Sequence, residues 1–356
     1  MKGKIEYLIE ISKKIIIDCC LENGAIVAAN PTKNYYPKEA KNYFYVWPRD
    51  ASFVVMAAEM LKMDNIIEHF IEWVRERAEG WNETGLLYEK YTPNGLLALN
   101  RFQPDQTGSL LFAVCNYCSH KPTIRENYKE FILHSADGIC KVWNNDHFSI
   151  ITNDLWEERL TFPDLKDNFN YSLASCISGL SSAYQLYPDE KYINTASKMK
   201  EVLIQNAERR GHFFRSFGEI DDERIDASLL GIVWPFNIID TDNKLAITTI
   251  QEIEQRLVRD MGVHRYEHDD YDGWMHNTIH RNKGAGFWPL LNFWMSIVLY
   301  KMGNREKAIQ YFNTPLLKVD KYIPEQIFNN NIQKSVSPLC WSHTMYLLAS
   351  KELEII

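Results

Sequence analysis

Apolar residues recur along this chain at helical spacing, in segments that come two by two. Ile5, Leu8, Ile9, Ile15, Ile16 and Cys19 repeat every three or four positions and predict a helix over 5–21. Ile67, Phe70, Ile71 and Val74 share one face of a helix over 64–79. The same reasoning predicts helices from Asp50 through Leu61, and over 105–119, 122–142, 168–187, 189–207, 226–233, 243–260, 287–302, 304–317 and 338–352. No convincing series of strands accompanies them. Within a pair the joint is short, as at Lys62-Met63, Ser119–Lys121, Pro188 and Gly303. Between pairs it is long, aromatic and acidic, as over 21–48, 80–104 and 261–286. Short joints make antiparallel neighbours. Six such pairs can close into a ring, with wholly apolar inner helices and amphipathic outer ones. The segment 287–300, apolar almost all round, suits an inner helix. Long loops at one end of such a ring rim a single pocket.

Composition narrows what that pocket is for. Hydrophobic residues are 46% of the 356, enough for a sizeable core, and the 24% charged residues are intermixed, which argues against disorder. A net charge of −8 argues against nucleic acid as a partner. No run approaches the roughly 20 apolar residues of a membrane span. The first residues lack an apolar stretch followed by a small-residue cleavage site, so no signal peptide is expected. Seven cysteines without framework spacing suit free thiols and a cytoplasmic location. Aromatic residues reach 13%, many in the long loops, as a flat-faced ligand such as a carbohydrate requires.

Candidate chemistry concentrates in those loops. Asn153-Asp154-Leu155-Trp156-Glu157-Glu158-Arg159 sets three carboxylates beside an indole. A carboxyl desolvated by a ring keeps its proton to higher pH, and an indole stacks on a sugar face. Glu325, in Pro324-Glu325-Gln326, offers a distant second carboxylate. Two carboxylates meeting in one pocket is the arrangement glycoside hydrolysis requires. Arg49, Asp50, Arg265 and Asp269 lie in loops able to share the rim. Asp50 also suits the N-cap of the helix through Leu61, and Asp105 is open to both readings, cap or ligand residue.

Taken in order, 24–30, 46–51, Gln103–Gly108, Asn153–Arg159, Arg265–Trp274 and Pro324-Glu325-Gln326 resemble the motifs of glycoside hydrolase family 15, the glucoamylase-like family, over nearly the whole chain. The resemblance implies an all-α fold, an α/α six-fold toroid of six helical hairpins and twelve helices, with residues 1–356 as one catalytic domain. It implies inversion at the anomeric carbon, with Glu157 as general acid and Glu325 as general base, roughly 6.5–9.5 Å apart to admit a water. Glu158, Arg49, Asp50, Arg265 and Asp269 would bind sugar hydroxyls, Trp47 and Trp156 would line the pocket, and Asp154 would support the acid loop. The substrate would be an α-linked gluco-oligosaccharide, without metal or cofactor. α,α-Trehalase and α-1,6-glucosidase activities belong to the same family, and a non-catalytic saccharide-binding toroid is the rival from another class.

Other signals are weaker. Asp269-Asp270-Tyr271-Asp272 resembles the acidic metal motif of terpene synthases, but the partner motif is broken by Glu157 and Thr161. His264, His268, His276 and His280 stand four residues apart, yet Gly273 interrupts any helix that would align them for zinc. Cys115 and Cys118, inside an apolar segment, read as core thiols.

Overall fold

The computed structural model describes residues 2–273, 285–330 and 333–356. Trp274, His276 and His280 lie outside the described residues.

Among the described residues, twelve of fourteen α-helices form a double ring. The inner ring consists of Pro48–Met60, Pro104–Ser119, Asn170–Leu186, Leu230–Val233, Pro289–Lys301 and Cys340–Glu352. The outer ring consists of Lys2–Cys19, Asp64–Arg77, Lys129–Val142, Glu190–Arg210, Lys244–Leu257 and Arg305–Leu316. Each inner helix packs on the next, and Cys340–Glu352 returns to Pro48–Met60, so the ring is closed. This is the α/α toroid expected from the paired periodicity.

The two rings differ as their burial demands. In Pro289–Lys301 every residue through Leu299 is buried, whereas Asp64–Arg77 buries only the face carrying Ile66, Ile67, Phe70, Ile71, Trp73 and Val74. The expectation of wholly apolar inner helices is corrected. Pro104–Ser119 and Asn170–Leu186 bury Thr107, Ser109, Ser172, Ser175 and Ser178, because these two helices approach closely. A methyl group on Gly108 would meet the backbone nitrogen of Cys176 at 2.7 Å, and one on Gly179 would meet the carbonyl of Gly108 at 2.7 Å. Small side chains are what that separation admits.

The sixth hairpin joins the first outer helix to the last inner one. Tyr346 donates to the carbonyl of Ile5 at 3.0 Å. His343 Nε2 accepts from the backbone N–H of Ile323 at 3.0 Å, so its proton resides on Nδ1 and is donated to Ser12 Oγ at 2.8 Å. Full burial pushes His343 down to about 3, which keeps it neutral and its tautomer fixed. Leu8, Ile9, Ile15 and Ile16 are buried in the same joint, each contributing about 1.5–3 kcal/mol.

Three inner helices open with proline at their first position, after Trp47, Gln103 and Trp288 in extended conformation. Proline is preorganised there and forces the preceding residue out of the helix. Asp50 and Asp105 therefore fall inside the first helical turn, and neither acts as the N-cap. Further departures are local. The helix expected over 122–142 breaks at Tyr128 into Pro122–Asn127 and Lys129–Val142. Of the helix expected over 226–233, Ala227–Leu229 is a 3₁₀ turn and only Leu230–Val233 is α-helical; Pro235 prevents it from running further. Among the described residues, five short antiparallel strand pairs decorate the loops, the longest joining Tyr88–Tyr91 to Leu97–Phe102.

Candidate active site

The starts of three inner helices, Pro48–Met60, Pro289–Lys301 and Cys340–Glu352, meet at one end of the ring. Their N-terminal partial charges converge there. A pocket of about 240 Å³ opens above them, lined by Trp47, Arg49 and Asp50, by Leu155, Trp156, Glu157 and Glu158, by Arg265 and Tyr271, and by Trp288, Glu325 and Trp341 among others. Seven of the long-loop residues singled out above thus share one wall with Trp47, and loops more than a hundred residues apart supply the two carboxyls.

The loop bearing Glu157 is held by Asp154. Antiparallel strands Thr152–Asn153 and Leu160–Thr161 bring the two ends of this loop together. Asp154 Oδ1 accepts from the backbone N–H groups of Glu158 at 2.8 Å and Arg159 at 3.0 Å, while its own carbonyl accepts from Glu157 N at 3.0 Å. Within this knot Glu157 adopts φ +67°, the left-handed region that a side chain other than glycine's rarely enters. Such strain persists only where surroundings over-determine it. Gln103 Nε2 caps the loop from the neighbouring helix by donating to the Asp154 carbonyl at 2.7 Å. Asn153 ties it to the buried carboxylate of Glu89 at 3.0 Å. Trp156 donates its indole N–H to both carboxylate oxygens of Asp226 at 3.0 Å, which fixes the ring against the pocket.

The adjacent glutamates acquire different partners. Glu157 lies 3.7 Å from Arg49 Nη2, and among the described residues no donor reaches its carboxyl at hydrogen-bonding distance. A quarter of this side chain is open, towards the pocket. Burial pushes it up to about 8, opposed by Arg49 and assisted by the negative charge of Glu89. Glu158 instead accepts from Arg265 Nη2 at 2.9 Å and from the Tyr266 hydroxyl. Of these two guanidinium groups, Arg49 is the one beside Glu157 and Arg265 the one bound to Glu158.

Glu325 lines the same pocket and is buried. Tyr43 donates to its Oε1 at 2.9 Å and Tyr271 to its Oε2 at 3.5 Å. Burial raises it to about 6, held back by the Tyr43 hydrogen bond and then by the charges of Arg265 and Lys41.

Asp105 and Asp269 sit behind the wall rather than on it. Asp105 is fully buried and receives Arg49 Nη1 at 3.3 Å and the Ser172 hydroxyl at 3.4 Å. Asp269 grips Arg265 through both oxygens at 2.8 Å. Neither reaches the cavity, and each anchors a guanidinium that does. Arg49 spans Asp50, Asp105 and Gln103, and lies 5.3 Å over the Trp341 ring. Arg265 is wedged about equally between Trp156, Trp288 and Tyr271, 5.3, 5.0 and 5.0 Å from the ring centroids.

Several pocket residues were not singled out from sequence: Lys41, Tyr43, Tyr271, Trp288 and Trp341. The Trp47-Pro48 and Trp288-Pro289 steps are the signal that was available, since each marks an inner-helix start. All seven cysteines are free thiols, and Cys115 and Cys118 are buried in an inner helix. No described helix is long and apolar enough to cross a membrane.

The family model for glycosyl hydrolases family 15 matches residues 12–323. The chain belongs to that family. It is 28% identical, over 97% of its length, to an uncharacterized glycosyl hydrolase of Methanocaldococcus jannaschii, and spans 56% of that longer protein. It is 21% identical to an isomaltose glucohydrolase of Kribbella flavida, over 88% of this chain and 85% of the relative. Among solved structures, a glycosidase crystallised as a variant in complex with glucose superposes with a TM-score of 0.81 at 21% identity, covering 100% of this chain and 98% of the other. That likeness concerns the fold.

Proposed function

We propose that residues 1–356 act as one catalytic unit, an inverting exo-acting hydrolase that releases glucose from the non-reducing ends of α-linked gluco-oligosaccharides. The observation that carries this reading is the pair Glu157 and Glu325, in one pocket with different environments. Glu157, without a hydrogen-bond donor among the described residues and pushed up to about 8 by burial, holds a proton at neutral pH and faces the cavity. It is the general acid for the glycosidic oxygen. Glu325, raised only to about 6 and receiving two tyrosine hydroxyls, is ionised at neutral pH. It is the general base for a water attacking the opposite face. Arg49, Asp50, Glu158 and Arg265 offer fixed donors and acceptors to sugar hydroxyls, and Trp47 and Trp156 offer flat apolar walls. Exo action is part of this reading, and the size of the product released from longer oligosaccharides tests it.

The α-1,6 linkage is the second reading, favoured by the match to the isomaltose glucohydrolase along most of both chains. Incubation with maltose, isomaltose and trehalose, followed by proton NMR, tests the proposal. Under inversion the glucose cut at its own anomeric carbon appears first as the β-anomer; the leaving glucose keeps its configuration, so trehalose gives one β- and one α-glucose. No initial β-glucose from trehalose, or no initial excess of β-glucose over the reducing-end mixture from maltose or isomaltose, would reject inversion. Tight binding of all three without product would instead identify a saccharide-binding toroid.

The same two carboxyls set a pH dependence. kcat/KM is expected to fall below about pH 6, as Glu325 gains a proton and ceases to be a base, and above about pH 8, as Glu157 loses the proton it must donate. The profile is a bell centred near neutrality. A single-limbed profile would contradict the assignment of one acid and one base.

A further inference from the structure

Lys41 is a pocket-lining cation that the reaction scheme above does not use. Its Nζ donates to the Tyr271 hydroxyl at 2.9 Å and sits 4.5 Å over the centre of the Tyr271 ring. Among the described residues no carboxylate lies within ion-pairing distance of it. Arg265, the other cation facing Glu325, is matched by both Glu158 and Asp269. Among the described residues, Lys41 is thus a cation near Glu325 with no ion-pair partner of its own.

We propose that Lys41 is a positioning residue for the base: by holding the Tyr271 hydroxyl oxygen, it directs the Tyr271 proton at Glu325 and keeps that carboxylate charged and clamped. The inference rests on the reading of Glu325 as general base. A tyrosine hydroxyl has one proton to give, and an ammonium can only donate. With Lys41 donating to the oxygen of Tyr271, the phenolic proton is free to point at Glu325 Oε2, 3.5 Å away. Tyr43 then gives its own proton to Glu325 Oε1 at 2.9 Å. The two hydroxyls are 3.4 Å apart, so without Lys41 the vacated Tyr271 oxygen can accept the Tyr43 proton and draw it away from the carboxylate. Hydrogen bonds to the charged form and a nearby opposite charge both favour ionisation. The titratable and charged groups facing Glu325 are Tyr36, Tyr43 and Lys41 from the connection before the first inner helix, and Arg265 and Tyr271 from the loop beyond Val263. Among them Lys41 can be removed without uncovering a buried ion pair.

The test uses the full chain labelled with ¹³C at the glutamate carboxyl carbon, the Glu325 signal being assigned by its loss in Glu325→Gln. Lys41→Met is expected to move the Glu325 titration midpoint up by about half to one pH unit, and Lys41→Arg to restore most of it. The acidic limb of kcat/KM, on whichever of maltose, isomaltose and trehalose is turned over fastest, moves by the same amount while the alkaline limb stays in place. An unmoved midpoint in Lys41→Met overturns the proposal. So does a rise in KM with both limbs unmoved, which would make Lys41 a direct substrate contact. If Glu325→Gln retains turnover, the base assignment itself fails; the carboxyl titration still reports whether Lys41 acts on Glu325, so the two failures are told apart.

Discussion

Glu157→Gln lowers kcat/KM on an unactivated disaccharide by about 10²–10⁴-fold, and Glu325→Gln does the same, with the thermal unfolding of both variants close to that of the parent. The substitutions keep volume and shape and remove only the ability to give or take the proton. Their separation comes from the leaving group. α-Glucosyl fluoride expels fluoride without protonation, so Glu157→Gln keeps most of its activity on it. Glu325→Gln does not, because the attacking water still needs a base. If Glu325→Gln rather than Glu157→Gln is the variant spared on the fluoride, the acid and base roles are exchanged; equal losses on both substrates in both variants would mean that neither residue is the leaving-group acid. Comparable turnover of the disaccharide in either variant would remove that residue from the chemistry altogether.

Arg49→Met destabilises the fold as well as emptying the site. The guanidinium is almost wholly buried and stands between Asp50, Asp105 and Glu157. Its removal leaves Asp105 fully buried without its cation, and removing one partner of a buried pair costs about 3–5 kcal/mol. Urea unfolding followed by circular dichroism should show a loss of that size. Adding Asp105→Asn should recover part of it, because the stranded charge is then gone. Arg49→Lys restores less, since a single ammonium cannot span Asp50 and Asp105 as the planar fork does. A loss below about 1 kcal/mol for Arg49→Met would show that the carboxyls relax by protonation or hydration instead.

How much of this was legible in the sequence follows the physical range of each interaction. Helical periodicity and short joints are local, so the hairpins and the inner-to-outer alternation could be read from spacing. The closeness of Pro104–Ser119 to Asn170–Leu186 could not, because Gly108 and Gly179 acquire meaning only when their helices face each other. Glu157 and Glu158 are indistinguishable as neighbours in a string. The left-handed backbone at Glu157 is what directs one towards Arg49 and the other towards Arg265. Asp50 and Asp105 suited capping by composition, but the prolines at 48 and 104 start each helix earlier and turn both aspartates into counter-ions for Arg49. Tyr43 and Lys41 meet Glu325 and Tyr271 across more than two hundred residues, a distance over which residue type alone carries no signal.

The joint between the first outer helix and the last inner one bears on how the chain reaches this state. Ser12 and His343 are separated by 331 positions, and that contact seals the ring. During synthesis the helix Lys2–Cys19 has no final partner until the segment 340–352 has left the ribosome. Its face of Leu8, Ile9, Ile15 and Ile16 stays uncovered for most of translation. Pairings of such range are paid for in loop entropy before they return any contact energy, so ring closure is expected to be the late, slow event in folding. Until then the nascent chain is a curved stack of hairpins with two open edges, and chaperone demand should be greatest just before the last helix emerges.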